Sequence, residues 1–556
     1  MSYVGVGDGG GGTTIASLEQ MRRLDNLALT PRARWGKAED FFGRLDGLAE
    51  KLPVYDGELY LEFHRGVFTS QAAFKLRHRQ FEAALQAWEA VRTVAGGGPV
   101  PVEHWQRLAF NQFHDILPGS SIALAYEQLG AEISERTKSC HEAAARELAR
   151  FADVDETQPG VTVFNTLPHP RTVVVETPQG LSSVPLQGLA TAVATPGGTG
   201  SWTVSDRVLD NGALRAEFDE QGRLVRARDA AGEWPLAGAC DFALHPDFPP
   251  NFDAWDVDHS AIQRVIATAG SMSLRVAECE PARATLRGTT QLGEQSRLEV
   301  AYVLEAGAHF LRVELTVDWR ESARLLKFHA PTAARGRQAW FGAPYGTVAR
   351  PQLPGMPREE AAWEVPATRW FATSNDAGTD GVLFLCERTS GVSCRDGHIG
   401  LSLLRAPQDP AYEFASQCVN DRKPDVPPDH GTHHIRFAMT RFTGLNHPPA
   451  ALAEALFVPP VTVAGVARRL PAPPFRVTGL ESVVSAWVLP AKNGSWVLRL
   501  VETAGCSGTV SVEFARPPLR VSLVDLLEQP LDTLMAPFEL AVHPYQLLSI
   551  KVDQHE

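Results

Sequence analysis

Asn111-Gln112-Phe113-His114-Asp115-Ile116-Leu117-Pro118-Gly119-Ser120-Ser121 sets an imidazole beside a carboxylate, just ahead of a Pro-Gly step that must end any helix carrying them. Neutral imidazole can ligate a divalent ion, and a carboxylate can take a metal or hydroxyl groups. Zinc needs at least three protein ligands, so His114 and Asp115 alone do not make a metal site. On residue types alone, His114 reads either as a ligand or as a hydrogen-bonded histidine at a helix end. A second feature is Gly7-Asp8-Gly9-Gly10-Gly11-Gly12-Thr13-Thr14, ahead of a helix expected to begin near Ala16. It carries no Gly-Lys-Ser/Thr and follows no strand, which argues against a phosphate loop. It reads either as a flexible tail or as backbone able to approach a ligand closely while Asp8 presents a carboxylate.

The elements that must hold these residues fall into a helical front and a strand-rich back. Phe74, Phe81, Leu85, Trp88 and Val91 recur at helical spacing, with Ser70 placed to cap that helix and Gly96-Gly97-Gly98 placed to end it. Pro101 suits the first turn of a helix running to about Ile116. Its expected apolar face is Val102, Trp105, Leu108 or Ala109, and Phe113; the polar face is His104, Arg107, Asn111, His114 and Asp115. Ser121 precedes a long helix with Leu129, Ile133, Cys140, Ala144, Leu148 and Phe151 along one stripe. After about residue 158 the period becomes two, as in Val161-Thr162-Val163-Phe164, Thr172-Val173-Val174-Val175 and the run Leu311 to Val317. Asn493-Gly494 before Ser495-Trp496-Val497 is a hairpin signal. Short strands with Pro and Gly punctuation predict antiparallel sandwiches, and Pro471, Pro473 and Pro474 mark a linker to a last small β domain. No repeat of fixed period is present.

Composition narrows the class. The 556 residues suffice for three or four domains, and 44% hydrophobic with 21% charged residues is ordinary for a globular chain. A net charge of −13, from 52 basic and 65 acidic residues without a basic run, argues against nucleic acid as a partner. Cys140, Cys240, Cys279, Cys386, Cys394, Cys418 and Cys506 lie scattered, with no C-x-x-C pair. That spacing argues against a disulfide framework and points to a reducing, cytoplasmic setting. No apolar run is long enough to span a membrane, and the first residues have no signal-peptide pattern.

Several motifs carry a family resemblance. Gly5 through Gly12, Gly57-Glu58-Leu59-Tyr60-Leu61-Glu62-Phe63-His64-Arg65-Gly66-Val67-Phe68-Thr69-Ser70-Gln71, and Trp105 through Ser121 resemble the α-mannosidases of glycoside hydrolase family 38. Further matches are Phe252-Asp253-Ala254-Trp255-Asp256-Val257-Asp258, Ala343-Pro344-Tyr345-Gly346 and Asp429-His430-Gly431-Thr432-His433. The resemblance implies an N-terminal α/β barrel, a three-helix bundle and C-terminal β-sandwiches. It implies hydrolysis of α-mannosides with retention, using a zinc ion that chelates two sugar hydroxyls. Carried onto this chain, His114 becomes the one zinc ligand from outside the barrel, Asp115 a residue that takes substrate hydroxyls, Asp8 the general acid/base, and His64 a substrate-facing residue.

The expected class is α+β, with a barrel remnant over 1–20, a helical bundle over 21–155, a large β-sandwich over 156–468 and a small β domain over 469–556. The family's His-x-Asp zinc ligands and nucleophilic Asp belong to the barrel, upstream of what this sequence holds. The literal His245-Pro246-Asp247 is expected in a Pro-rich turn as a coincidence, and His430, His433 and His434 in a rim loop. Three readings follow. The chain is the C-terminal part of an α-mannosidase, completed by a separately encoded barrel and acting on an α-mannoside or oligosaccharide; or a non-catalytic carbohydrate-binding protein of β-sandwich type; or an unstable remnant.

Overall fold

Periodicity along the front of the chain becomes helices in the computed structural model, which describes residues 4–5, 11–195, 200–407, 429–535 and 537–554. The architecture is α+β, and the chain divides into two units, 1–60 and 61–556. The first carries α1 (Ile15–Leu24), capped by Thr14, and α2 (Ala38–Asp46), neither of which buries a residue. Of the helical segment expected over 21–155, the second unit holds α3 (Ala72–Ala95), α4 (Val102–Phe110) and α5 (Ala123–Phe151).

α3 and α5 pack through the stripes that their periodicity predicts. Phe81, Leu85, Ile133 and Cys140 are fully buried, with Phe74 and Leu108 beside them. Gly96, at φ 72°, ends α3 in the left-handed conformation that glycine adopts without strain. The start of α3 differs from expectation. Its N-cap is Gln71, at φ 56°, and no side chain caps it. Ser70 is drawn instead into the sandwich: its Oγ donates toward Ala254 O at 2.8 Å and Gly66 O at 3.0 Å, and accepts from Arg405 Nη1 at 3.0 Å.

Two sheets build the large sandwich. A nine-stranded antiparallel sheet has Leu311–Trp319, Gly431–Phe442 and Gly381–Cys386 at its centre. A six-stranded sheet has Asp241–Pro246, Arg324–Pro331 and His398–Arg405 at its centre. Phe328 of the second packs against Phe437 of the first, with ring centroids 5.0 Å apart and planes tilted by 53°, so the alternate residues of each strand share one apolar layer. The last strands pack around Trp496, and their core is continuous with the end of the bundle through Val91, Ala144, Leu148 and Phe164. Between them, Glu89 of α3 accepts from the indoles of Trp105 at 2.9 Å and Trp487 at 2.8 Å. Burial lifts its carboxyl to about 7, while the two indole donors pull the other way. Asn493 and Gly494 turn the hairpin between Val483–Pro490 and Trp496–Glu502 at φ 60° and 72°, as their sequence predicts.

His245 and Asp247 are not in a surface turn. Both are 1% exposed, at the end of the strand Asp241–Pro246, because each has a partner deep in the sandwich. Asp247 accepts two hydrogen bonds of 2.9 Å from Arg405, a fully buried guanidinium that also reaches Asp256 O at 2.8 Å. His245 Nε2 lies 2.8 Å from His329 Nε2, and His329 Nδ1 lies 2.8 Å from His398 Nε2, forming a ladder that runs out to an exposed end. Nor do His433 and His434 lie in a rim loop: both are in the strand Gly431–Phe442, with His433 Nε2 2.7 Å from Asp429 O.

Two predictions follow from these buried groups. Removing one partner of a buried pair strands the other charge, so Asp247→Ala should cost about 3–5 kcal/mol in urea unfolding. The double variant D247A/R405M should recover much of that loss; a single variant as stable as wild type would refute the role given to the pair. Burial, then the charge of Lys327, holds His245 down to about 4 from 6.5. Its contribution is therefore complete above about pH 6.5 and is lost as pH falls toward 4, some 3 kcal/mol in all. His245→Phe should make the stability curve shallower in that window, where His329 and His398, also held low by burial, keep part of the slope; an unchanged slope would count against the assignment.

Candidate functional site

α4 stops at Phe110, short of the expected Ile116, and the chain continues as linked turns: Phe113 N–H to Phe110 O, Ile116 N–H to Phe113 O and Gly119 N–H to Ile116 O. Two side chains clamp this segment. Lys75 Nζ donates to Leu117 O at 2.7 Å, Pro118 O at 2.9 Å and Ser70 O at 2.7 Å. Burial first, then the charge of Arg388, lowers this amine to about 7. Tyr126 Oη donates toward Asp115 O and Ile116 O and accepts from Ser121 N–H. Gly119, at φ 98°, sits so close to Ser70 that a Cβ there would lie 2.5 Å from its carbonyl oxygen, so only glycine fits.

On this clamped loop His114 and Asp115 face outward. Their side chains are 77% and 40% exposed, with Nε2 and Oδ2 3.3 Å apart. Ser120 Oγ steadies the other carboxylate oxygen at 3.0 Å, and the Phe113 ring packs on the imidazole at 4.2 Å between centroids. The faces of α4 are not those its residue types suggest. Leu108 is buried as expected, but Asn111 is fully buried and His104 turns in against Phe81 and Trp88. Val102, Phe110 and Phe113, all more than half exposed, lie outside. The expected polar side is partly the inner side, which leaves aromatic rings in solvent next to His114.

Of the other expected residues, His64 is described. His64 is half-buried, with Nδ1 3.3 Å from Glu62 O, and the residue after it is locked into the sandwich. Arg65 reaches Asp256 at 3.1 Å and the Ala361 carbonyl, and its guanidinium lies 3.4 Å above the Trp363 ring. Asp8 lies outside the described residues. Sequence reasoning missed Lys75, Arg405 and Arg65, the residues that hold the site's scaffold. The one signal available was a cation within an apolar pattern, as in Leu403-Leu404-Arg405.

Zinc chemistry asks for three or more converging donors. Among the described residues no group of three His, Cys, Asp or Glu side chains is placed to hold a metal ion. His114 and Asp115 supply one imidazole and one carboxylate, so they do not by themselves make a zinc centre.

Releasing the clamp should loosen the pair above it. Lys75→Met leaves two loop carbonyls without their donor, at a cost of about 1–3 kcal/mol. Amide exchange over 113–121 should quicken relative to α5; equal protection in the two proteins would sink the clamp.

Residues 62–151 match the alpha mannosidase middle domain, and residues 209–413 match the glycosyl hydrolases family 38 C-terminal domain. Human Alpha-mannosidase 2C1 is 28% identical over 98% of this chain and 55% of its own length. Alpha-mannosidase from Saccharomyces cerevisiae is 25% identical over 78% of the chain and 41% of its own length. The chain thus spans about half the length of the curated relatives it matches. A crystal structure of an alpha-mannosidase from Enterococcus faecalis V583 shares the fold, with a TM-score of 0.72 at 12% identity, covering 92% of this chain and 72% of that one. Over its middle and C-terminal portion, the chain belongs to glycosyl hydrolase family 38.

Proposed function

We propose that this chain is the middle and C-terminal part of a retaining, zinc-dependent α-mannosidase acting on α-mannosides or mannose-containing oligosaccharides. The observation that carries this reading is the His114–Asp115 pair, held outward on a backbone clamped by Lys75 and Tyr126. In this reading His114 is one zinc ligand, Asp115 takes sugar hydroxyls, His64 faces the substrate and Asp8 is the general acid/base. A retaining glycosidase sets its two carboxyl groups roughly 5–5.5 Å apart, one as nucleophile and one as acid, and the acid must stay protonated at working pH.

The nucleophile and the remaining metal donors are assigned to an N-terminal barrel, on the same polypeptide or a separate one. Support comes from the exposed Phe110 and Phe113 beside His114, since apolar patches next to a site mark surfaces that another segment covers, and from the one imidazole and one carboxylate that the described residues bring together there. No helix among the described residues is long and apolar enough to cross a membrane, and the six described cysteines are free thiols, which suits a reducing, cytoplasmic setting.

The test is turnover of 4-nitrophenyl α-mannoside by these 556 residues, alone and mixed with the N-terminal half of a family member, with and without zinc. Alone, the chain should release no nitrophenol; with the barrel and zinc it should turn over. His114→Ala should cost that activity at least the roughly 10–100-fold typical of a disturbed metal shell, and should lower the zinc content. Strong turnover by the chain alone would end the barrel assignment. Mannoside binding without turnover even when the barrel and zinc are both supplied, and unchanged by His114→Ala, would favour a non-catalytic carbohydrate-binding protein.

A further inference from the structure

A cavity of about 780 Å³ opens between the bundle and the nine-stranded sheet, on elements other than the His114 loop. α3 contributes Arg79 and Gln80, α5 contributes Thr137 and His141, and the hairpin over 171–186 contributes Thr172 and Ser183. The sheet and the helix Pro449–Phe457 close the other sides. Interiors rarely leave gaps much larger than a water molecule, and specific ligand sites fall at roughly 300–1,000 Å³. This space has ligand size.

Its charged groups come as preformed couples. Arg436 holds Glu387 through Nε at 3.0 Å and Nη2 at 2.5 Å, Arg369 holds Glu454, and Arg312 reaches Glu305 at 2.7 Å and Glu314 at 2.8 Å. Arg171 is taken up by the carbonyls of Ala455 and Val458 at the end of the helix Pro449–Phe457. Arg79 pairs with Glu82 and Arg283 with Glu278, so the six arginines of the wall, Arg171 included, meet six glutamates and no net positive field is left for an anion. A guanidinium nevertheless has five N–H donors and a carboxylate about four acceptor sites, more than one couple uses. Vicinal hydroxyls, which donate and accept at once, match that wall. Phe310 and Phe457 add apolar rings against which the C–H face of a sugar can pack.

We propose that this cavity is an accessory binding site for a neutral oligosaccharide, separate from the His114 site and independent of zinc. The test is calorimetric titration of the whole chain with mannotriose, maltotriose, cellotriose, chitotriose and inorganic phosphate. At least one neutral sugar should bind, with chelator present. Gln80→Trp and Thr172→Trp, two exposed wall positions where an indole would fill the space, should each weaken binding at least about tenfold without lowering the melting temperature. Bound sugar should also slow amide exchange in the wild-type chain around 79–83 and 436–440, a readout that needs no variant. His114→Ala should bind the sugar as wild type does, which separates this proposal from the mannosidase reading. Binding of phosphate alone, no binding of any sugar, undiminished binding in both filled variants, or protection confined to residues elsewhere would each overturn it.

Discussion

A fully buried guanidinium, that of Arg405, joins the helices to the sandwich. It leaves the last residue of the strand His398–Arg405 and meets Asp247 through two parallel hydrogen bonds, the Asp256 carbonyl and the hydroxyl of Ser70. A charge taken out of water this completely is tolerated only where a fork-shaped partner and further acceptors replace its hydration. That need fixes three segments distant in sequence: the approach to α3, the loop 247–258 and a central strand of the six-stranded sheet. Arg65 repeats the arrangement alongside, joining Asp256 to the Trp363 ring. Stretches that look separate along the chain, Arg65 to Ser70 and Ala254 to Asp256, are therefore two sides of one buried polar contact.

The candidate site inherits its position from that contact. Ser70 is held by Arg405; its carbonyl accepts from Lys75; and Lys75 gathers the carbonyls of Leu117 and Pro118. A chain of short polar contacts thus runs from the sandwich interior to the loop that displays His114. The sequence consequence is that residues with no part in the proposed chemistry are as constrained as those that have one. Gly119 is such a residue, since any side chain there would strike the Ser70 carbonyl.

Much of this was legible in the sequence where one physical rule acts alone. Helical spacing located α3 and α5, and strict alternation located Leu311–Trp319, because burial of one face dominates both patterns. The readings that failed are those where a distant partner overrides local chemistry. Ser70 looks like a helix cap, but Arg405 and Ala254 claim its hydroxyl. His245-Pro246-Asp247 looks like a turn, but a cation 158 residues away and a histidine 84 residues away draw it inside. The His114–Asp115 pair was found because it combines two reactive side chains with a helix stop. Its clamp was not, because nothing local marks Lys75 as an anchor rather than a solvated helix residue.

The partial turning of α4 is the most informative of these departures. A helix that stood free in water would turn Phe110 and Phe113 inward, since burying each ring is worth about 1.5–3 kcal/mol. Here the inner positions go to His104, Trp105, Leu108 and Asn111, of which Trp105 is committed to Glu89. Rotating the helix to hide the phenylalanines would break that indole–carboxylate bond and pull the loop away from Lys75 and Tyr126. The geometry that presents His114 outward is thus the same geometry that leaves two aromatic rings exposed. Both features are accounted for together if another segment completes the surface there.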